Sequence, residues 1–254
     1  QAATSLTTSL PTFGYRIAAM TARSLTASAP AWSLAGLVAT HPRGRLDLAL
    51  PAAGIEVPTA NDSDHLLALD LRSARGDGRL VDHWLRGDDL VAVYEPADPR
   101  RLKATAMWRS LSAGPAAWEL VISAQTALVE SDSTLAVTSD VGTGEISWGR
   151  SDNGRIAWSP LAADVTCPPE ASCLLIRRAA DTVLVAVHPA DPRRITTRRI
   201  GTRLHVACWL FTAAIEKGVL LRSRVLAATG PAGDAAWADA LALALATAPP
   251  PLST

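Results

Sequence analysis

The sequence is short of the features that mark membrane spans and polyanion-binding surfaces. No apolar run approaches the roughly 20 residues that a membrane-spanning helix requires. Lysine occurs only at Lys103 and Lys217, and the formal net charge is +0. A chain without net positive charge has no broad electrostatic attraction to nucleic acid or anionic lipid. We therefore expect no transmembrane segment and no nucleic-acid partner.

Common catalytic and metal-binding motifs are also missing. The sequence contains no CxxC pair, Cys/His cluster, GxSxG, HExxH, P-loop or GxGxxG. We therefore predict no metal site and no cofactor. Cys167 and Cys173 flank a Pro-Pro loop and could close a disulfide, but with Cys208 they are more simply explained as buried thiols. The sequence shows no signal peptide. Because a leader could have been removed, the cellular compartment is not predicted.

The composition is that of a folded chain. Hydrophobic residues make up 48% and charged residues 19% of 254 residues, so the chain can bury one large core or two small ones. Several segments either alternate apolar and polar residues or form short apolar runs with β-branched residues, namely RLDLAL, LLALDLR, LVAVY and WELVIS. Pro, Gly, Asp and Ser separate these segments at short intervals. This pattern predicts a mainly β fold with antiparallel sheets, with α+β as the alternative.

One long motif occurs twice. LVAVYEPADPRR spans residues 90–101, and LVAVHPADPRR spans residues 184–194. Further blocks match in the same order: GRLDLALP with GRIAWSP, HLLALDLR with SCLLIRR, and WRSLSAGPAAWEL with RSRVLAATGPAGDAAWADAL. Ordered repeats predict an internal duplication. We predict an N-terminal arm (1–24) and two homologous β-rich halves (25–139 and 140–254) related by a pseudo-twofold axis.

The predicted halves differ by insertions, and the last segment is ambiguous. The first half has an insertion at 73–87, and the second has one at 197–218, where alternation at Leu204, Val206 and Cys208 predicts an extra strand. Asn153-Gly154 predicts a hairpin turn. In GDAAWADALALALATAPPP, Asp234 could cap a helix, but the Leu-Ala alternation and its strand-like repeat partner favour a strand, which is our expectation.

The repeated Pro-Ala-Asp-Pro segment has two interpretations. Proline fixes φ and Asp before Pro favours a turn, so the segment is typical of a rigid connection between strands. The arginine pairs that follow, at 100–101 and 193–194, could instead contact anions or uronates. We favour the structural interpretation.

Candidate catalytic residues come from the place where the repeated motifs differ. Tyr94-Glu95 in the first motif is replaced by His188 in the second. Together with His83 and Arg109, Tyr94 could supply the base, acid and charge neutralisation for proton abstraction beside a carboxylate, as in a polysaccharide β-elimination, and His188 is a further candidate for the same site. The simpler alternative makes Tyr94 a half-buried strand residue whose hydroxyl reaches the surface.

Candidate binding residues lie mostly in DHWLRGDD, which is specific to the first half. Trp84 could stack on a sugar ring or a nucleic-acid base, Arg86 is a further binding candidate beside it, and Asp88 and Asp89 could bind a hard cation. Trp32 is a further candidate for a binding surface. By contrast, Trp108, Trp118 and Trp237 lie in or beside the matched blocks and are best explained by core packing.

These observations lead to two functional hypotheses. The first is a non-catalytic binding or assembly protein of unknown ligand, with an acidic carbohydrate as the candidate. The alternative is a carbohydrate-active enzyme resembling a polysaccharide lyase and acting on an acidic glycan. A DNA-encircling clamp is a weaker third possibility because it needs a basic inner face. Both the clamp and the binding protein are compatible with a homo-oligomer.

Overall fold

The fold is mainly β, as predicted from the sequence. We describe a computed structural model over residues 31–59, 62–71, 78–96, 102–111, 116–131, 135–191, 193–211, 215–233 and 235–250. Two antiparallel sheets pack face to face, and one helix covers part of an outer face. The predicted N-terminal arm lies outside the described residues. No helix within those residues is long and apolar enough to cross a membrane.

Sheet A has eight strands in the order β1-β2-β3-β4-β5-β11-β17-β16. Its strands are β1 (Ser33–Ala35), β2 (Val38–His41), β3 (Gly44–Asp47), β4 (Ile55–Pro58), β5 (Ser63–Asp70), β11 (Leu135–Gly142), β16 (Arg193–Ile200) and β17 (Arg203–Leu210). A 3-10 helix at Pro51–Ala53 connects β3 to β4. β17 is the extra strand that the alternation at Leu204, Val206 and Cys208 predicts.

Sheet B has nine strands in the order β13-β12-β14-β15-β19-β9-β8-β7-β6. Its strands are β6 (Gly78–Arg86), β7 (Asp89–Pro96), β8 (Lys103–Leu111), β9 (Ala116–Gln125), β12 (Glu145–Asp152), β13 (Arg155–Leu161), β14 (Cys173–Arg177), β15 (Asp181–Val187) and β19 (Leu220–Pro231). A separate two-stranded ribbon pairs β10 (Glu130–Ser131) with β18 (Ile215–Glu216). Asn153 and Gly154, both at positive φ, form the predicted turn between β12 and β13.

The main core lies between the two sheets, and aromatic side chains of sheet B anchor it. Trp108 and Trp118 are fully buried there, as expected from the matched blocks. Trp108 Nε1 donates to the carbonyl of Leu67, 3.3 Å away in sheet A. Leu67 lies at a bulge between β5 and β11 with φ of 53°, and its amide donates to Ser139 Oγ at 3.2 Å. The bulge therefore places a carbonyl where a buried indole of the other sheet can use it.

The C-terminal segment forms a helix, so our expectation of a strand is wrong. α1 (Ala236–Thr247) packs on the outer face of sheet B, and it buries Ala238, Ala242 and Leu245 at helical spacing. Asp239 accepts a 2.6 Å hydrogen bond from Trp158 Nε1, which fixes the helix to β13. Leu-Ala alternation is compatible with both structures, and the tertiary partner decides between them.

The two LVAV runs lie in the same sheet but turn opposite faces to the core. In β7, Leu90 and Ala92 point into the main core, whereas Leu184 and Ala186 of β15 point outward beneath α1. The turn after β15 is hydrogen-bonded internally, since Asp191 N donates to the His188 carbonyl at 3.0 Å. It leads the chain from sheet B into sheet A, which agrees with the structural interpretation of that turn. The first turn, at 97–101, lies outside the described residues.

Both predicted halves contribute to both sheets and to one main core. GRLDLALP contains β3 of sheet A, whereas its match GRIAWSP contains β13 of sheet B. HLLALDLR and SCLLIRR divide in the same way, as β5 and β14. The duplication and its division at residue 139 therefore stay predictions.

All three cysteines are buried free thiols, and burial raises the pKa of Cys167 to about 11.

Candidate functional site

The outer face of sheet B is divided into a covered half and an open half. The covered half lies under α1, across β14, β15 and the later part of β19. The open half consists of β6, β7, most of β8 and β9 and the first part of β19; of β8 and β9, only Leu111 and Ala117 at their adjoining ends belong to the cluster under α1. A depression of about 310 Å³ lies on this open half. It includes Trp84 and Arg86 of the predicted binding stretch.

The floor of this depression is a row of apolar side chains that crosses four strands. Trp84 pairs with Val91, Val91 with Met107, and Met107 with Val121, so all four lie on one face. Trp84 is 40% exposed, although it stands beside this apolar row. The indole therefore offers an accessible aromatic surface with an apolar floor next to it.

A row of charged groups borders the depression on the side of α1. Arg109 makes two 2.9 Å hydrogen bonds to Asp89, through Nε and Nη2, and reaches Glu119 Oε2 from Nη1 at 3.4 Å. Arg224 Nη1 lies 3.5 Å from the other oxygen of Glu119. Hydrogen bonding to Asp89 raises the pKa of Arg109. Since both carboxylates are neutralised within the row, this border is a rigid scaffold.

The charged row is also connected to the end of the helix. Arg224 Nη2 donates to the carbonyl of Pro249, just after α1. Glu119 is only 6% exposed, and its two oxygens lie near Arg109 and Arg224 respectively. The helix and the border of the depression are therefore held in one arrangement.

The rest of the rim is polar and carries positive charge. Thr105 pairs with Ser123, and Ser123 with Arg222, on the same face as the apolar row. Arg222 Nε donates to Ser123 Oγ at 3.2 Å. Arg86 is exposed on the opposite side, and no ion pair joins it to a carboxylate among the described residues. Trp84 and Arg86 thus stand together on β6, and Arg222 lies on β19 at the far side of the depression.

The remaining predicted binding residues lie elsewhere or have other roles. Asp88 is exposed in the hairpin turn after Gly87, while Asp89 is held by Arg109. Trp32 is 3% exposed and packs in the main core, with its ring centroid 5.3 Å from that of His41. No group of three potential metal ligands occurs among the described residues.

The structure does not bring the four candidate catalytic residues together. Tyr94 is fully buried between the sheets, where its hydroxyl donates to the Leu48 carbonyl at 3.1 Å, and burial raises its pKa. The His83 ring lies 3.2 Å from the Gly36 carbonyl at the sheet edge. Arg109 lies on the outer face in the charged row.

His188 is remote from the other three candidates. It is 3% exposed, and its Nε2 lies 2.9 Å from the carbonyl of Ala248. It follows β15, which is four strand spacings from β7, or about 19 Å at about 4.8 Å per spacing. His188 and Tyr94 therefore cannot share a hydrogen-bonded site with the observed fold.

A second depression, of about 400 Å³, is lined by residues that form ion pairs with one another. Its central pair joins the two sheets: Arg178, which follows β14, makes hydrogen bonds of 2.9 and 2.7 Å to Asp64 of β5. Asp64 is 1% exposed, and it also accepts from the Gly142 amide at 3.1 Å. This cluster has the geometry of a clamp between sheets, so we place the candidate site at Trp84.

Sequence reasoning missed most of the residues that surround Trp84. Met107, Val121, Thr105, Ser123 and Arg222 come from strands far apart in the chain. The available signal was KATAMWRSL, in which every second residue from Ala104 to Trp108 is buried and the residues between them are half-exposed. Alternation indicates which residues share a face, but it does not indicate which strands adjoin.

Solved structures that are distantly similar to this chain include a galactosidase domain and heparinase III. No family model and no curated protein sequence matches the chain. The galactosidase domain of alpha-galactosidase-sucrose kinase is similar with a TM-score of 0.42 and 8% identity, covering 67% of this chain and 28% of that one. Heparinase III is similar with a TM-score of 0.36 and 12% identity, covering 66% of this chain and 24% of that one. The chain thus spans about a quarter of the length of either structure.

Proposed function

We propose that this chain is a non-catalytic carbohydrate-binding protein that holds a sugar at Trp84 on the open half of sheet B. The observation that carries the proposal is the row Trp84-Val91-Met107-Val121, which places an exposed indole beside an apolar floor inside a polar rim. Binding sites for small polar ligands commonly combine an apolar lining with a few placed polar groups. A sugar ring, with an apolar face and a hydroxylated edge, matches this combination.

The ligand class is an acidic glycan, because the rim is positively charged. Arg86 is exposed beside Trp84, and its guanidinium can pair with carboxylate or sulfate, while Arg222 donates to Ser123 on the other side of the apolar row. The formal net charge of the whole chain is +0, so this selectivity arises from local placement. Neutral glycans would keep the stacking interaction and lose the charge-assisted hydrogen bonds.

Binding has more support than catalysis because the carboxylates near the depression are already engaged. Asp89 and Glu119 both bond to Arg109, so their oxygens are already engaged in ion pairs within the charged row. For the lyase alternative, Tyr94 has its hydroxyl in the core and His188 lies several strands away. The enzyme hypothesis thus requires a base and an acid other than this set.

The test compares two adjacent residues of β6 that face opposite ways. Trp84 and Leu85 are 40% and 38% exposed, but Leu85 pairs with the inward-facing Leu90. Calorimetric titration would use a polyuronate hexasaccharide and a neutral hexasaccharide. We expect Trp84→Ala to weaken polyuronate binding about tenfold, which corresponds to about 1.4 kcal/mol of lost contact with the indole. Leu85→Ala should bind like the unmodified protein.

Three outcomes would contradict the proposal. Equal losses in Trp84→Ala and Leu85→Ala would mean that the open half is not the binding surface. If neither hexasaccharide bound saturably, the proposal that the ligand is a carbohydrate would be wrong. If the ultraviolet absorbance of polyuronate increased on incubation with the protein, an unsaturated uronate would have formed. The protein would then be a lyase and not a non-catalytic binding protein.

A further inference from the structure

A separate depression lies on the outer face of sheet A, on the opposite side of the sandwich from Trp84. Its volume is about 510 Å³, and it is formed by β16, β17 and the loop at 164–166. None of its lining residues belongs to the open half of sheet B. Any ligand bound here is independent of the site at Trp84.

The shape of this depression follows from small side chains between large ones. Thr196 pairs with Ala207 and forms the floor. Along the same face, Arg194 pairs with Trp209 at one end, and Arg198 pairs with His205 at the other. Arg194 and Arg198 are four residues apart, or about 13 Å at about 3.3 Å per residue. The space between the ends is about the size of one sugar ring with its substituents.

Both ends are held by contacts within the chain. The Trp209 indole donates from Nε1 to Thr196 Oγ1 at 3.1 Å, and the Arg194 guanidinium lies 5.4 Å from its ring centroid. At the other end, His205 Nδ1 is 2.8 Å from Asp140 Oδ1. This hydrogen bond raises the pKa of His205. The Asp140 carboxylate thus favours an imidazolium whose second nitrogen can donate to a ligand.

The third side of the depression is a loop fixed to the edge strand. Thr197 N donates to the Val165 carbonyl at 2.9 Å, and Cys167 N donates to the Ile195 carbonyl at 2.8 Å. These bonds extend the pairing of β16 beyond the sheet edge. The loop is therefore a preformed wall, and little ordering would accompany binding.

The charge of the lining favours an anion. Arg198 is exposed, and no ion pair joins it to a carboxylate among the described residues. Asp164 is the single acidic residue of the lining, and its Oδ1 already accepts from the Arg199 amide at 2.7 Å. Arg198 and His205 therefore present adjacent donors to an oxyanion at one end of the floor.

We propose that this depression is a second binding site, which takes a single sugar unit bearing a carboxylate, sulfate or phosphate group. The oxyanion lies between Arg198 and His205, the ring covers Ala207, and its hydroxyls reach Thr196. Trp209 bounds the far edge of the ring. With the site at Trp84, the chain would present one binding site on each outer face.

The test uses adjacent arginines of β16 as a matched pair. Arg198 lines the depression and Arg199 does not, although both are exposed and carry the same charge. Calorimetric titration would use glucuronate, glucose 6-sulfate, glucose 6-phosphate and unsubstituted glucose. We expect at least one anionic sugar to bind, Arg198→Gln to weaken it about tenfold, and Arg199→Gln to change it less than about twofold.

Ala207→Leu provides a second variant that fills the floor without altering charge. We expect it to abolish sugar binding while the thermal unfolding midpoint stays within a few degrees. Trp84→Ala should leave this site unchanged, so failure here and failure of the polyuronate site are distinguishable. The proposal is overturned if Arg199→Gln weakens binding as much as Arg198→Gln. It is also overturned if glucose binds as tightly as the anionic sugars, or if none of the four probes saturates.

Discussion

β7 and β15 carry the same four letters, LVAV, in the same sheet, yet their surroundings differ. In β7, Leu90 and Ala92 face the main core while Val91 belongs to the floor below Trp84. In β15 the faces are exchanged: Val183 and Val185 enter the main core, and Leu184 and Ala186 pack under α1. The outer face of β7 contributes to the open depression, although Val91 itself is only 4% exposed. β15 is buried on both faces.

The difference shows that, when a strand is apolar on both faces, its own sequence does not determine which face points toward the core. α1 makes the outward position of Leu184 favourable because it supplies a second apolar layer. In the part of the chain that the structure describes, no helix packs over β7, so its outer face adjoins the open depression. Identity of the motif thus predicts a buried strand in both places but does not predict equivalent roles.

The largest expected effect comes from truncating the matched leucines. Leu90→Ala and Leu184→Ala should each lower the free energy of unfolding by about 3 kcal/mol, since both side chains are fully buried. Denaturant unfolding would measure this loss. Hydrogen exchange would then separate the strands, because only Leu184→Ala should accelerate exchange in α1. Equal acceleration in both variants would contradict the assignment of opposite faces.

A smaller effect is expected from placing a charge under the helix. Ala242→Asp should cost about 2 kcal/mol, because it buries a carboxylate among apolar side chains of β15 and β19. Ala240→Asp is the control, since Ala240 is exposed on the same helix. We expect its unfolding midpoint to remain close to that of the unmodified protein. Comparable losses in both variants would mean that α1 does not pack on sheet B as described.

The smallest effect concerns Tyr94, which occupies the position of His188 in the repeated motif. Tyr94→Phe should cost about 1 kcal/mol, because the Leu48 carbonyl loses its buried donor. Binding of polyuronate at Trp84 should not change. If Tyr94→Phe lost polyuronate binding but kept its stability, Tyr94 would have a role in binding. In spectrophotometric titration, removal of Tyr94 should delete a phenol whose pKa burial has raised.

The sequence predicts strand content well and neighbours poorly. Alternation correctly indicates β17, and the turn at Asn153-Gly154 is confirmed. α1 was missed because the Leu-Ala pattern has both helical and strand periodicity, and its packing against β13, β15 and β19 decides the outcome. The environment of Trp84 depends on the adjacency of β6, β7, β8, β9 and β19. Register between distant strands has no local sequence signal.

The path of the chain between the sheets has a consequence for folding kinetics. After β15 the chain leaves sheet B for β16 and β17 of sheet A, and it returns at β19 to pair with both β15 and β9. β11 therefore has only β5 as a partner until β17 has been synthesised. Pairings of such long sequence separation slow folding, because loop closure precedes the gain from contact. Sheet A receives its last strand, β17, before β19 joins β15 to β9 in sheet B, so we expect a slow folding phase that ends with the insertion of β19.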